Sequence, residues 1–94
     1  MTAPRSERPE NRLKRLHMRS WRRGIKEMDL VLGKFSDDQL SDLSAADLDV
    51  YEALLLENDQ DLLRWITGQD PVPDRFADLF GRISEHAHSR GTTG

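Results

Sequence analysis

A chain of 94 residues with no cysteine, 36% hydrophobic and 33% charged, has room for one small core. It excludes disulfide stapling, thiolate catalysis and cysteine-ligated metal. The net charge of −3 hides an asymmetry: ten Lys and Arg against four acids through residue 34 (+6), then four against thirteen (−9), which predicts two opposed charged faces or ends.

Residues 1–9 read as a disordered tail bracketed by Pro4 and Pro9, residues 10–88 as a helical bundle domain, and residues 89–94 as a second tail. From Glu10, the apolar residues Leu13, Leu16 and Trp21 lie near helical spacing among Arg12, Lys14, Arg15 and Arg19. This predicts a basic helix ending near Arg23. Gly24 would end it through a positive φ and serve as N-cap of the next helix, placing Glu27 at the third position of a capping box. Ile25, Met28, Leu32 and Phe35 stripe that second helix, and Gly33 inside it, costing about 1 kcal/mol relative to alanine, predicts weakening or termination there.

Ser36 to Gln39 then offers a cap for a short turn that points Leu40 and Leu43 inward. Ser44 with Asp47 signals a cleaner start, followed by the stripe Leu48, Tyr51, Leu54 and Leu55 and an end near Asn58. Asp59 is the expected cap of a fourth helix carrying Leu62, Leu63, Trp65 and Ile66, closed by Gly68. After Pro71 and Pro73, Asp74 opens the last helix, with Phe76, Leu79, Phe80, Ile83 and Ala87 on one face and fraying from His88. No strand alternation is present. The fold class is therefore all-α: a single domain of about five short helices.

Chemistry-bearing patterns are sparse. His17, His86 and His88 lack the i, i+4 spacing of a helical metal pair, and His86 and His88 read as surface residues near a helix end. The carboxylates Asp37, Asp38, Asp59 and Asp61 read as caps and solvated charges. There is no glycine-rich phosphate loop and no nucleophile elbow, so the chain reads as a protein that is not an enzyme, with no metal and no cofactor of its own. No apolar run approaches the roughly 18 residues of a membrane span, and no leader pattern opens the sequence, which predicts a bacterial cytoplasmic location. The basic helix, with Arg12, Lys14, Arg15, Arg19, Arg22, Arg23 and Lys26, leaves two partners open: the phosphates of a nucleic acid or an acidic protein surface.

The order of several segments then narrows the choice. Arg22-Arg23-Gly24-Ile25-Lys26-Glu27, the Ile25 to Phe35 stripe, LDVYEALL at 48–55 and NDQDLLRW at 58–65 together resemble the SdhE family over roughly residues 10–85. These are small assembly factors of succinate dehydrogenase that promote flavin attachment. The resemblance implies a helical bundle that binds the flavoprotein subunit of succinate dehydrogenase, and extends to that of fumarate reductase, before the membrane complex forms. FAD, joined covalently to a histidine of that subunit, would belong to the partner, and this chain, monomeric when free, would not make the bond. The same resemblance places partner binding on Arg22, Arg23, Gly24 and Glu27, and the expectation is that both guanidiniums and Glu27 grip the partner. Tyr51, Leu55, Trp65 and Phe80 are expected in the core.

Overall fold

Pro9 opens the first helix because its fixed φ suits a helical first turn and its missing N–H would be unpaired there anyway. The computed structural model describes residues 8–91; of the expected tails at 1–9 and 89–94, residues 1–7 and 92–94 lie outside the described ones. Five α-helices follow one another: α1 (Pro9–Ser20), α2 (Lys26–Gln39), α3 (Ala45–Leu55), α4 (Asp59–Ile66) and α5 (Asp74–Gly91), with a 3-10 turn at Leu40–Asp42 after α2. Each contributes an apolar stripe to one core. Leu16, Met28, Leu32, Phe35, Tyr51, Leu54, Leu62 and Ile83 are fully buried there, and each such side chain stabilises the fold by about 1.5 to 3 kcal/mol. The helix α2 lies centrally against α1, α4 and α5, and α3 packs on α1 and α5. Tyr51, Leu55 and Phe80 sit in the core, while Trp65 is half-buried, tilted against Phe76 and edge-on to Phe80 at centroid distances of 6.0 Å.

Where the boundaries depart from expectation, a packing or capping contact explains it. Gly33 does not interrupt α2, which continues to Gln39. A Cβ there would lie 2.3 Å from Cδ2 of Trp21, so glycine is what allows the indole to rest on the helix backbone. The expected short turn forms at Leu40–Asp42, after Gln39 and without a side-chain cap; Ser36 is buried inside α2 and its hydroxyl donates to the Gly33 carbonyl at 2.8 Å. Leu40 and Leu43 are buried as expected, and Ser44 caps α3 by accepting from the Asp47 amide at 3.1 Å. The cap of α4 is Asn58, which accepts from the Gln60 amide at 2.8 Å, and not Asp59. The helix α5 runs past His88, where fraying was expected, to Gly91.

Two polar ties cross the core. Ser20 donates to the Leu16 carbonyl at 2.8 Å, and the Tyr51 hydroxyl lies 2.6 Å from Ser20 Oγ and 3.3 Å from the Leu32 carbonyl. Burial pushes the Tyr51 phenol up to about 12. His86, expected on the surface, is enclosed: its side chain is 8% exposed, its ring meets Phe35 edge-on, and Nε2 lies 2.7 Å from Asp38. A helical period of 3.6 places residue 86 on the same face as Ile83, which is why it turns inward.

Candidate functional site

The connection between α1 and α2 is densely hydrogen-bonded. Asp59 makes it so. Because Asn58 takes over capping of α4, both Asp59 oxygens are available: Oδ1 accepts from Arg23 Nε at 2.7 Å and Oδ2 from the Gly24 amide at 2.6 Å. The rest of the Arg23 guanidinium donates to two carbonyls at the end of α3, those of Leu55 (2.6 Å) and Glu57 (2.8 Å). From the other side, Asp29 in the first turn of α2 accepts from the Arg23 amide. A planar guanidinium, with donors spread over three nitrogens in a fixed fork, suits such a set of separated acceptors, whereas lysine carries its three donors on a single nitrogen.

The four residues singled out from the sequence therefore divide. Arg23 faces inward, with 11% of its side chain exposed, and ties α1 to α3 and α4. Gly24 is exposed and does not use a positive φ, contrary to expectation; among the described residues only Gly68 does, at 82°. Its lack of a side chain serves close approach instead, since a Cβ would meet Asp59 Oδ2 at 3.0 Å. Arg22 and Glu27 are exposed. The expected capping box at Glu27 is absent: the N-cap of α2 is Ile25, in extended conformation, with no side-chain cap hydrogen bond. Glu27 nevertheless lies in the first turn of α2, where the helix dipole favours a carboxylate.

Further ties hold α1 in place. Arg12 donates to Asp49 (2.7 Å) and to Glu52 (3.0 Å from Nη2), and Arg15 pairs with Glu52 at 2.9 Å. The Asp49 hydrogen bond raises the Arg12 pKa. Partial burial works against ionisation of Glu52, but Arg15 and then Arg12 outweigh it and hold its carboxyl below the usual range. At the end of α1, Asp37 on α2 pairs with His17 and accepts from Trp21 Nε1 at 3.2 Å. The His17 hydrogen bond lowers the Asp37 pKa. The expected separation into opposed charged faces is thus reduced, because basic α1 is laced onto acidic α3, α4 and the end of α2. With Arg12 and Arg15 engaged internally, α1 lacks the continuous row of outward cations that tracking phosphates would need.

Among the described residues no group of three or more His, Asp or Glu side chains is arranged to hold a metal ion, and no helix is long and apolar enough to cross a membrane. The arrangement defines a small all-α module built around a braced, charged corner.

Comparison with known proteins gives that class its family. The chain belongs to the Sdh5 family, described as the flavinator of succinate dehydrogenase, whose model matches residues 14–87. It is 36% identical over 83 residues to succinate dehydrogenase assembly factor 2, mitochondrial, of Mycosarcoma maydis, covering 88% of this chain and 35% of that protein. The protein of the same name from Meyerozyma guilliermondii is 41% identical over 75 residues, covering 77% of this chain and 56% of the relative. That from Schizosaccharomyces pombe is 35% identical over 80 residues, with 83% and 58% covered. The chain spans about a third to three fifths of the length of these relatives. Their names overturn the expected bacterial cytoplasmic location, since all three are mitochondrial proteins of eukaryotes. The expectation rested on apolar-run length and on the pattern of the opening residues, and neither the bundle nor its core encodes a compartment, which is read from a separate address.

Proposed function

We propose that this chain binds the flavoprotein subunit of succinate dehydrogenase and promotes covalent attachment of FAD to it, with no catalytic role in the bond formation. The flavin stays with the partner. The reading rests on family membership and, within this molecule, on one observation: Asp59 and Asp29 pin the backbone of Arg23 and Gly24 while Arg22 and Glu27 stand exposed on either side. A corner held this way presents its two exposed charges on a backbone already ordered, so that binding orders only their side chains. Arg22 and Glu27 would engage the partner directly, Gly24 would let its backbone approach, and Arg23 would act by holding the corner's shape. Preferential affinity for the attachment-competent arrangement of the flavoprotein is sufficient to populate it. The same surface would serve the flavoprotein of fumarate reductase.

The test mixes the purified chain with apo flavoprotein subunit and FAD and reads protein-bound flavin fluorescence after denaturing electrophoresis. Wild type should raise the signal above that of the subunit alone. Arg22→Ala and Glu27→Ala should remove most of the gain with unchanged circular dichroism, because neither side chain supports the fold. Absence of any gain with wild type would defeat the reading.

A further inference from the structure

Beside the braced corner lies a groove of about 490 Å³, lined by Arg15, Met18, Arg19, Arg22 and Arg23, with no carboxylate in its lining. Arg15 and Arg23 point their charge into internal pairs, with Glu52 and Asp59. Arg19 and Arg22 are exposed and make no ion pair or side-chain hydrogen bond among the described residues. The groove is also unusually apolar at its margin. Met18 is 51% exposed and Leu56 is 69% exposed, the two most exposed large hydrophobic side chains among the described residues. Leu56 does not line the groove; it adjoins it, standing between the two residues, Leu55 and Glu57, whose carbonyls accept from the guanidinium of the groove residue Arg23.

Resting on the reading above, we infer that this groove receives a segment of the partner flavoprotein in which carboxylates neighbour a bulky apolar side chain. The carboxylates pair with Arg19 and Arg22, and the apolar side chain settles on Met18 and Leu56. Three features favour that occupant. Two exposed guanidiniums side by side, Arg19 and Arg22, select anions, and their planar forks match carboxylates in two-pronged geometry. Exposed apolar side chains rimmed by arginine are the composition of an interface centre, where a few anchors carry most of the affinity. Methionine in particular adapts to the shape of an apolar partner. A nucleic acid would gain from the cations but nothing from Leu56. The neighbouring groove between α1 and α3 lacks this character, because its two arginines, Arg12 and Arg15, are already paired with Asp49 and Glu52.

The experiment measures affinity of the full chain for apo flavoprotein subunit by fluorescence anisotropy at low and high salt, for wild type, Met18→Ser, Leu56→Ser, Arg19→Glu and the corner control Glu27→Ala. Thermal melts establish that each variant folds, as expected for exposed positions. Met18→Ser and Leu56→Ser should each weaken binding about tenfold, by loss of an anchor, with little change in salt dependence. Arg19→Glu should weaken it at least as much and flatten the salt dependence. A second arm adds a synthetic peptide alternating Glu and Leu, and its Lys and Leu counterpart, to the chain and follows the methyl resonances of Met18 and Leu56. Only the acidic peptide should shift them. Loss of binding in Glu27→Ala with wild-type affinity in Met18→Ser and Leu56→Ser overturns the groove while leaving the assembly reading intact. Failure of wild type to bind the flavoprotein, with the acidic peptide still shifting both methyls, overturns the assembly reading and leaves the groove's preference standing; unmoved methyls overturn the groove.

Discussion

Two regions join the basic first helix to the acidic body by arginine and carboxylate pairs, and they differ in what surrounds the charges. On the flank of α1, Arg12 and Arg15 meet Asp49 and Glu52 with side chains 24% to 74% exposed, and every bond is between side chains. At the corner, Arg23 and Asp59 are 11% and 18% exposed, and the pair also fixes two α3-end carbonyls and the Gly24 amide. Water and salt screen the first set, so it holds little. In the second, removing one partner strands a desolvated charge and several backbone groups. Identical chemistry is therefore peripheral in one place and structural in the other.

The sharpest way to break this comparison is Asp59→Ala, which leaves the Arg23 guanidinium and the Gly24 amide short of their acceptor. It should cost about 3 to 5 kcal/mol and be visible as a large drop in the chemical denaturation midpoint. A midpoint near wild type would place the corner with the flank. Next is the fully buried tie between Ser20 and Tyr51. Because the folded-state phenol titrates near 12 and the ordinary value is 10.0, the folded state keeps its proton more tightly. The stability from this group is complete below pH 10 and falls as pH rises through 12, by about 3 kcal/mol. Tyr51→Phe should flatten that alkaline slope in denaturation measured between the two values.

Gly33→Ala asks whether Trp21, which leads into the corner, is seated by shape. Helix propensity alone predicts a gain of about 1 kcal/mol. The clash with the indole predicts instead a net loss of about 1 to 2 kcal/mol and a shift of tryptophan emission, since overpacking a close contact forces a displacement. A stabilised variant with unchanged emission would contradict the packing. The smallest effect should be Glu52→Gln, which weakens the flank pairs and costs below about 1 kcal/mol, less still in high salt.

Much of the fold was legible along the chain because its helices advertise themselves locally. The stripes at Met28, Leu32 and Phe35, at Tyr51, Leu54 and Leu55, and at Phe76, Phe80 and Ile83 are one face each of a 3.6-residue period, and all are buried. The Ser44 cap was readable from its spacing to Asp47. What could not be read were the partners of residues far apart in sequence. Arg22 and Arg23 are adjacent and alike in type, yet one is exposed and the other engaged by residues more than thirty positions away. Asp59 looked like a cap because Asp is a good one; Asn58 beside it is equally good, and packing of α4 against the corner decided between them. Gly33 carried a signal that was read with the wrong sign, as a weak point in α2 where it is a seat for Trp21.

Local patterning thus determined that the described residues form five helices with one apolar face each, since those preferences act over a single turn. Which charges face a partner and which hold the molecule together was settled only when α3 and α4 came to rest against the end of α1. Pairing depends on distance in space, and residues 23, 55, 57 and 59 become neighbours solely through the packed core beneath them.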